Sequence, residues 1–345
     1  MLVFGIENPL LDLSNEFSSD DILTKYKLQH GQASLAQEEQ MPLYDELWKM
    51  EGTQRIPGGS SLNSIRAANF MLKDTHPGKC AYFGCIGKDE VAKVLEDELE
   101  KAGMHGYFHH DESTPTGTCA VIIREKERTL VANLAACLKY PTKHLKDNMS
   151  VLERSKVLYT SAFFVTSNYE ALMEVAKFAA EKNKPLGFNL SACFLIEFNT
   201  KEVNSVIDYA DYVFCNEDEA AKFGEINKLG HSNLKDVALA IAKWNKINTK
   251  RPRCVVITQG KEPVLVAITQ KNAEPEIREI PIPQLKPEQI IDSNGAGDSF
   301  VGGFLSQIAQ DKDITVAVKA GTYLSQQIIQ RSGCTFPDKN EFTVE

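Results

Sequence analysis

The chain has 345 residues, about twice the usual domain length, so one large domain or two linked ones are expected. Hydrophobic residues at 43% and charged residues at 25% are the balance of an ordinary globular protein and exclude a disordered, collagen-like or coiled-coil chain. The formal charge of -9 disfavours a general nucleic-acid binder, whose affinity comes mostly from phosphate neutralisation, but leaves room for a small basic pocket taking an anionic substrate.

The predicted elements alternate along the chain. A strand at 2–6 is followed by an irregular polar stretch over 13–57, with one amphipathic segment at 42–49. A helix at 62–72, a strand at 80–85 and a helix at 91–102 come next. Two extended pieces at 117–124 and 128–134 flank a charged turn at Glu125-Lys126-Glu127-Arg128, the pattern of a hairpin. Strands at 157–160, 185–190, 212–215 and 254–258 then alternate with helices at 169–181, 234–245, 299–310 and 314–329. The strands are nearly continuous in apolarity, which suits strands buried on both faces. An α/β fold is expected, with a mostly parallel central sheet flanked by helices. Residues 1–12, 58–114 and 135–345 are assigned to a large α/β domain, and 13–57 and 115–134 to a small lid domain formed by two insertions.

No apolar run approaches the ~20 residues that a bilayer span requires, and Met1 to Glu7 lack the basic flank and long apolar core of a secretion signal. Eight cysteines without a C-x-x-C pair read as buried free thiols. A cytoplasmic protein is expected, with no membrane or nucleic-acid partner. Zinc has no support, because His109 and His110 lack spaced partners.

Four segments carry candidate chemistry. Asp292-Ser293-Asn294-Gly295-Ala296-Gly297-Asp298 opens a helical run, and its two glycines let the backbone approach a ligand closely. Successive N–H groups at such a helix start form an anion cradle, with Asp298 in the first turn. A plain helix cap is the competing reading of that aspartate. Gly58 and Gly59 likewise open a helix, with Asn63 one turn inside it offering two donors and an acceptor. Asn8 and Asp12 follow the first strand, where a parallel sheet forms its ligand crevice, although a turn-capping aspartate has the same signature. Asn216 to Glu219 place oxygen ligands suited to Mg2+ at a strand end, or form only an acidic first turn.

In their order these segments resemble the ribokinase-type (PfkB) carbohydrate kinases. That family carries a Gly-Gly plus Asn element, an N-x-x-E motif and a D-T-x-G-A-G-D element, matched here by Gly58-Gly59 with Asn63, by Asn216 to Glu219 and by Asp292 to Asp298. Ser293 replaces the usual Thr and keeps its hydroxyl. Phrases similar to those of the adenosine-phosphorylating branch include Asn8-Pro-Leu-Leu-Asp12, Pro115-Thr-Gly-Thr-Cys119, Thr258-Gln-Gly260 and Gly333-Cys-Thr-Phe-Pro337. Glu7 stands before Asn8 where Gly is usual.

The resemblance implies a ribokinase-like fold and ATP-dependent phosphorylation of the 5′-hydroxyl of adenosine, with Mg2+, by a monomer. Asp298 would accept the hydroxyl proton, its carboxylate held ionised but weakly basic at the helix start. The amides of Asn294, Gly295, Ala296 and Gly297 would hold the developing charge, and Arg128 would clamp the phosphoryl group. Asp12, Gly59 and Asn63 would fix the ribose hydroxyls, with Asn8 and Gly58 also at the substrate. Leu35, Cys119, Leu130, Leu134 and Phe164 would form the adenine slot, Phe164 by stacking; core packing is the competing reading for each. ATP would lie against Asn216, Thr258, Gly260, Asn294, Gly295 and Gly297, and Asn216 and Glu219 would orient Mg2+ through water.

Two other readings stay open. Another kinase of the family, acting on a sugar or a different nucleoside, would lack the apolar slot. A nucleoside-binding regulator without turnover would have a damaged cradle or no Asp298. A Walker-type NTPase is disfavoured, since no G-x-x-x-x-G-K-[ST] occurs.

Overall fold

Val3–Ile6 (β1), fully buried, is the third strand from one edge of the larger of two sheets. The fold is known from a computed structural model, which describes residues 1–125, 127–230, 233–270 and 273–343. The further strands are Leu10–Glu16 (β2), Ala33–Leu35 (β3), Gln54–Gly58 (β4), Cys80–Ile86 (β5), His105–His110 (β6), Thr118–Arg124 (β7) and Glu127–Asn133 (β8). They continue with Val157–Ser161 (β9), Leu186–Asn189 (β10), Tyr212–Asn216 (β11), Cys254–Gln259 (β12), Glu262–Gln270 (β13) and Ala273–Ile280 (β14).

The large sheet has the order β14-β13-β12-β11-β10-β9-β1-β5-β6. Its pairings are parallel from β12 to β6. Alternate residues feed cores on opposite faces: Phe4, Leu158 and Val255 on one, Val3, Tyr159 and Val256 on the other. Helices Phe163–Glu181, Glu217–Ile226 and Leu234–Ala242 cover the first face, and Ser60–Leu72, Ala296–Ile308 and Ile314–Ile329 the second. Burial on both faces is why the central strands read as unbroken apolar runs.

Three elements depart from the sequence expectation. β6 is an edge strand rich in half-exposed histidine, which masks its period. β13 and β14 extend the sheet as antiparallel strands with no intervening helix, outside the strand–helix rhythm. The helix expected over 169–181 is met, since Asn168 breaks the helical backbone (φ -156°, ψ 82°) and sets residues 163–167 apart as a separate turn before it.

The second sheet, in the order β3-β8-β7-β2-β4, draws its strands from residues 10–58 and 118–133. β2 starts at Leu10, so Leu10 to Asp12, expected with the larger part, pair here instead; Asp12 stands opposite Ile56 on β4 and Cys119 on β7. The amphipathic segment is helix Met41–Lys49, which buries Leu43, Tyr44 and Leu47 among Leu11, Leu13 and Val131 of this sheet. Lys126 of the expected charged turn lies outside the described residues, and its neighbours Arg124 and Glu127 pair across the hairpin. No helix among the described residues is long and apolar enough to cross a membrane. The eight cysteines are free thiols, and all but Cys193 are buried.

Candidate active site

A cavity of about 800 Å³ opens where the carboxyl ends of β1, β10, β11 and β12 face the second sheet. Such ends are where parallel sheets form ligand crevices, because the chain turns away there and leaves the strand termini open. Asn8, Asp12, Leu35, Gly59, Asn63, Cys119, Leu130 and Leu134 line one part of it. Asn216, Glu219, Thr258, Asn294, Gly295, Gly297 and Asp298 line the rest. Residues from widely separated segments thus share one wall.

Asp298 is the meeting point. Helix Ala296–Ile308 starts from Gly295 in the left-handed region (φ +74°), a conformation glycine adopts without strain. Asp298 therefore sits in the first turn, but it makes no cap. Its carboxylate accepts a hydrogen bond from Ser60 Oγ at 2.7 Å and from Asn63 Nδ2 at 3.3 Å, both on the other glycine-started helix. The two helices come this close because Gly302 has no side chain: a Cβ there would lie 2.2 Å from the Ser64 carbonyl oxygen. Burial pushes the Asp298 carboxyl up to about 6, against the pull of the Ser60 and Asn63 bonds. The carboxylate was expected to be weakly basic at its helix start; desolvation makes it more basic than an ordinary aspartate. A Cβ on Gly297 would meet nothing within 4 Å, so this backbone borders open space. Ala296, expected beside it in the cradle, is not part of the cavity wall.

The opposite wall is built just as tightly. Gly59 has φ +96°, and a Cβ on it would strike the Asn8 carbonyl oxygen at 2.2 Å. Gly58 is off the wall and acts by yielding space: a Cβ there would lie 2.2 Å from Asp12 Oδ1. Burial raises the Asp12 carboxyl to about 7, although Arg66 and Arg128 pull it down. Asn8 Nδ2 reaches the Phe163 carbonyl oxygen at 3.4 Å, while its Oδ1 is buried without a partner. A buried acceptor left open at a cavity wall suits a donor supplied by a ligand.

Three expected contacts are corrected. Phe164 is fully buried and meets Tyr140 edge-on in the core. Consecutive helical residues point about 100° apart, and so Phe163 takes the cavity wall, beside Phe194. Gly260 is in the tight turn between β12 and β13 with φ +56° and is off the wall. Arg128, expected as a free clamp, forms an ion pair with Asp292 and donates to Ser332 Oγ at 3.3 Å. Asp292 in turn accepts the Asn294 N–H at 2.9 Å and the Gly333 N–H at 2.7 Å, which fixes the loop entering the cradle.

Asn216 and Glu219 form a reciprocal cap. Glu219 N–H donates to Asn216 Oδ1 at 2.8 Å, and Asn216 N–H donates to Glu219 Oε2 at 3.0 Å. Asn216 Nδ2 adds a bond to Oε1 at 3.0 Å. Burial raises Glu219 to about 7, with the Asn216 N–H opposing the shift. Sequence reasoning missed Glu7, Gln37, Ser60, Phe163 and Phe194 on the wall. Ser60 had a signal, its place between the glycine pair and Asn63, and Glu7 had one in replacing the usual Gly before Asn8; the others had none beyond their neighbours.

A model of the pfkB family of carbohydrate kinases matches residues 31–341. The chain belongs to this family. Among pfkB relatives, adenosine kinase 2 of Arabidopsis thaliana is 39% identical over 343 residues, covering 99% of this chain and 97% of that one. The adenosine kinase of Schizosaccharomyces pombe is 39% identical over 342 residues, covering 97% and 96%. The solved structure of Anopheles gambiae adenosine kinase in complex with P1,P4-di(adenosine-5) tetraphosphate matches with a TM-score of 0.90 at 39% identity over 99% of each chain. Schistosoma mansoni adenosine kinase in complex with adenosine in occluded loop conformation matches at 0.87 and 34% identity over 97% of each.

Proposed function

We propose that the chain is an adenosine kinase that transfers the γ-phosphoryl group of ATP to the 5′-hydroxyl of adenosine, giving AMP and ADP, as its relatives' names indicate for them. The observation that carries the mechanism is the Asp298 carboxylate, bonded to Ser60 and Asn63 across the cavity from its own helix and adjoining the Gly295–Gly297 backbone. A carboxyl near 6 is ionised at neutral pH yet still basic enough to take a proton as the hydroxyl attacks. Phosphoryl transfer asks for little else than positioning and charge stabilisation. The Gly295 and Gly297 amides are the natural donors to the transferring group, at the positive end of helix Ala296–Ile308. The Asn294 N–H already donates to Asp292 Oδ1, and the Ala296 N–H to the Ser293 carbonyl oxygen. Arg128, from the second sheet, holds this loop in place through its ion pair with Asp292.

Asp12, Gly59 and Asn63 hold the ribose in this reading, and Asn8 Oδ1 gives an open acceptor to the substrate. Leu35, Cys119, Leu130, Leu134 and Phe163 supply the apolar walls for adenine. Those walls favour a nucleoside over a free sugar, which would leave them wet. Thr258, Asn216 and Asn294 line the ATP side.

Mg2+ keeps most of its waters and binds through few carboxylates plus substrate phosphates. Among the described residues no cluster of three acidic, histidine or cysteine side chains could enclose a metal. Glu219 and Asn216, which reach the wall, fit an ion held through water. Bound there with the phosphates, Mg2+ would neutralise their charge. The second sheet acts as a lid that excludes water from the transfer. The free thiols suit the reducing cytoplasm. A coupled ADP-release assay with adenosine, inosine, ribose and fructose tests the proposal. Adenosine should give the highest kcat/KM, and equal or better turnover of a sugar would refute it.

A further inference from the structure

Glu7 plays no part in that mechanism, yet it lies at its centre. It follows β1 directly, is 2% exposed and lines the cavity together with Asp298. A carboxyl so placed is costly unless it is bonded, and two hydroxyls meet it. Ser61 Oγ donates to Oε2 at 2.5 Å, and Ser161 Oγ donates to the same oxygen. Ser161 ends β9, and Ser61 lies in the first turn of helix Ser60–Leu72, between the Ser60 and Asn63 that hold Asp298. Glu7 therefore ties a strand end to the turn on which the Asp298 carboxylate rests.

We propose that Glu7 is a positioning residue for Asp298, anchoring through Ser61 the turn that holds the carboxylate and placing a second negative charge near it. This deepens the adenosine kinase reading and rests on Asp298 being the proton acceptor. The ionisable groups around Glu7 are Asp298, Tyr82 from β5, Tyr159 from β9 and Cys137 beyond β8; burial keeps the last three neutral by raising each. Asp12, itself facing Arg66 and Arg128, and Glu219 also feel the Asp298 charge. Burial raises Glu7 to about 7, against its two serine bonds, while Asp298 stands at about 6. The pair thus ionises in two steps. When Glu7 ionises, its like charge makes Asp298 more basic, and a more basic acceptor takes the proton faster.

The test is the pH profile of kcat/KM for Glu7→Gln and Glu7→Asp beside the parent. The parent should rise in two steps, through about 6 and about 7. Glu7→Gln should rise in one step to a plateau kcat several-fold lower, with the KM for adenosine nearly unchanged, and Glu7→Asp should restore part of the second step. A Glu7→Gln profile that matches the parent in steps and plateau overturns the proposal, as does a variant that only melts earlier. Should Glu7→Gln fail to fold, Ser161→Ala decides: a several-fold fall in kcat at constant KM supports the anchor, and the parent kcat overturns it. The underlying reading fails separately. An active Asp298→Asn brings down the proton acceptor itself, whereas an inactive Asp298→Asn with an unaltered Glu7→Gln brings down Glu7 alone.

Discussion

Two helices begin on the cavity wall with a carboxylate at the third helical position, and they use it in opposite ways. Glu219, three residues after its cap Asn216, turns back on its own helix start and bonds the Asn216 N–H and side-chain amide. Asp298, three residues after Gly295, has no side-chain cap to reciprocate and bonds across to Ser60 and Asn63 of another helix. The difference lies in the cap residue. An asparagine offers a partner and draws the carboxylate inward, whereas a glycine offers none and frees the acid to face the cavity. Local capping thus explains most of Glu219, while tertiary contact explains Asp298.

The largest expected effect falls on Asp298. Asp298→Asn keeps the shape but removes the basic oxygen, and kcat should fall by ~10²–10⁴, the span of a positioned general base, or roughly 3–5 kcal/mol of barrier. Because its folded carboxyl is raised, ionised Asp298 costs the fold stability at neutral pH, and Asp298→Asn should raise the melting temperature rather than lower it.

The next effect is on stability against pH. Glu7, Asp12 and Glu219 stand at about 7 and Asp298 at about 6, against ordinary values of 4.5 for Glu and 3.8 for Asp. The folded chain therefore holds these protons more tightly than the unfolded one. Their contribution is full below the ordinary values and is lost as pH rises through about 7, so the ligand-free protein should lose stability across that window. Denaturant titrations of Glu7→Gln should show the fall flattened by ~1–3 kcal/mol; an unchanged slope would mean that Glu7 is not held protonated.

The smallest effect belongs to Glu219. Glu219→Gln weakens the reciprocal cap, at a cost of about 1 kcal/mol of stability. Its kcat should fall far less than that of Asp298→Asn, with a raised Mg2+ requirement, measured by titrating the metal. A loss in kcat as deep as that of Asp298→Asn would erase the contrast between the two helix starts.

Much of this was legible in the sequence, and the exceptions have physical causes. The central strands and the two glycine-started helices carry periodicities that burial imposes, so both could be read directly. Phe164 was expected in the slot that Phe163 lines, because the choice between them depends on the turn at 163–167 before the break at Asn168, which carries no sequence period of its own. Glycine before the third-position acid identified Asp298 as a candidate, but its partners could not be read, since Ser60 lies 238 residues away. Nor could the burial of its carboxylate, which only the closed cavity decides. Arg128 was placed on the hairpin, but its pairing with Asp292 joins two segments with no shared local pattern.

The central claim is that Asp298 accepts the proton, and single-turnover phosphoryl transfer to adenosine, followed across pH, tests it most directly. The parent rate should fall as pH drops through about 6. Asp298→Asn should be slow at every pH and lose that dependence. A variant that keeps both the parent rate and its acid limb would contradict the claim, leaving Asp298 only a support for the Ser60 turn.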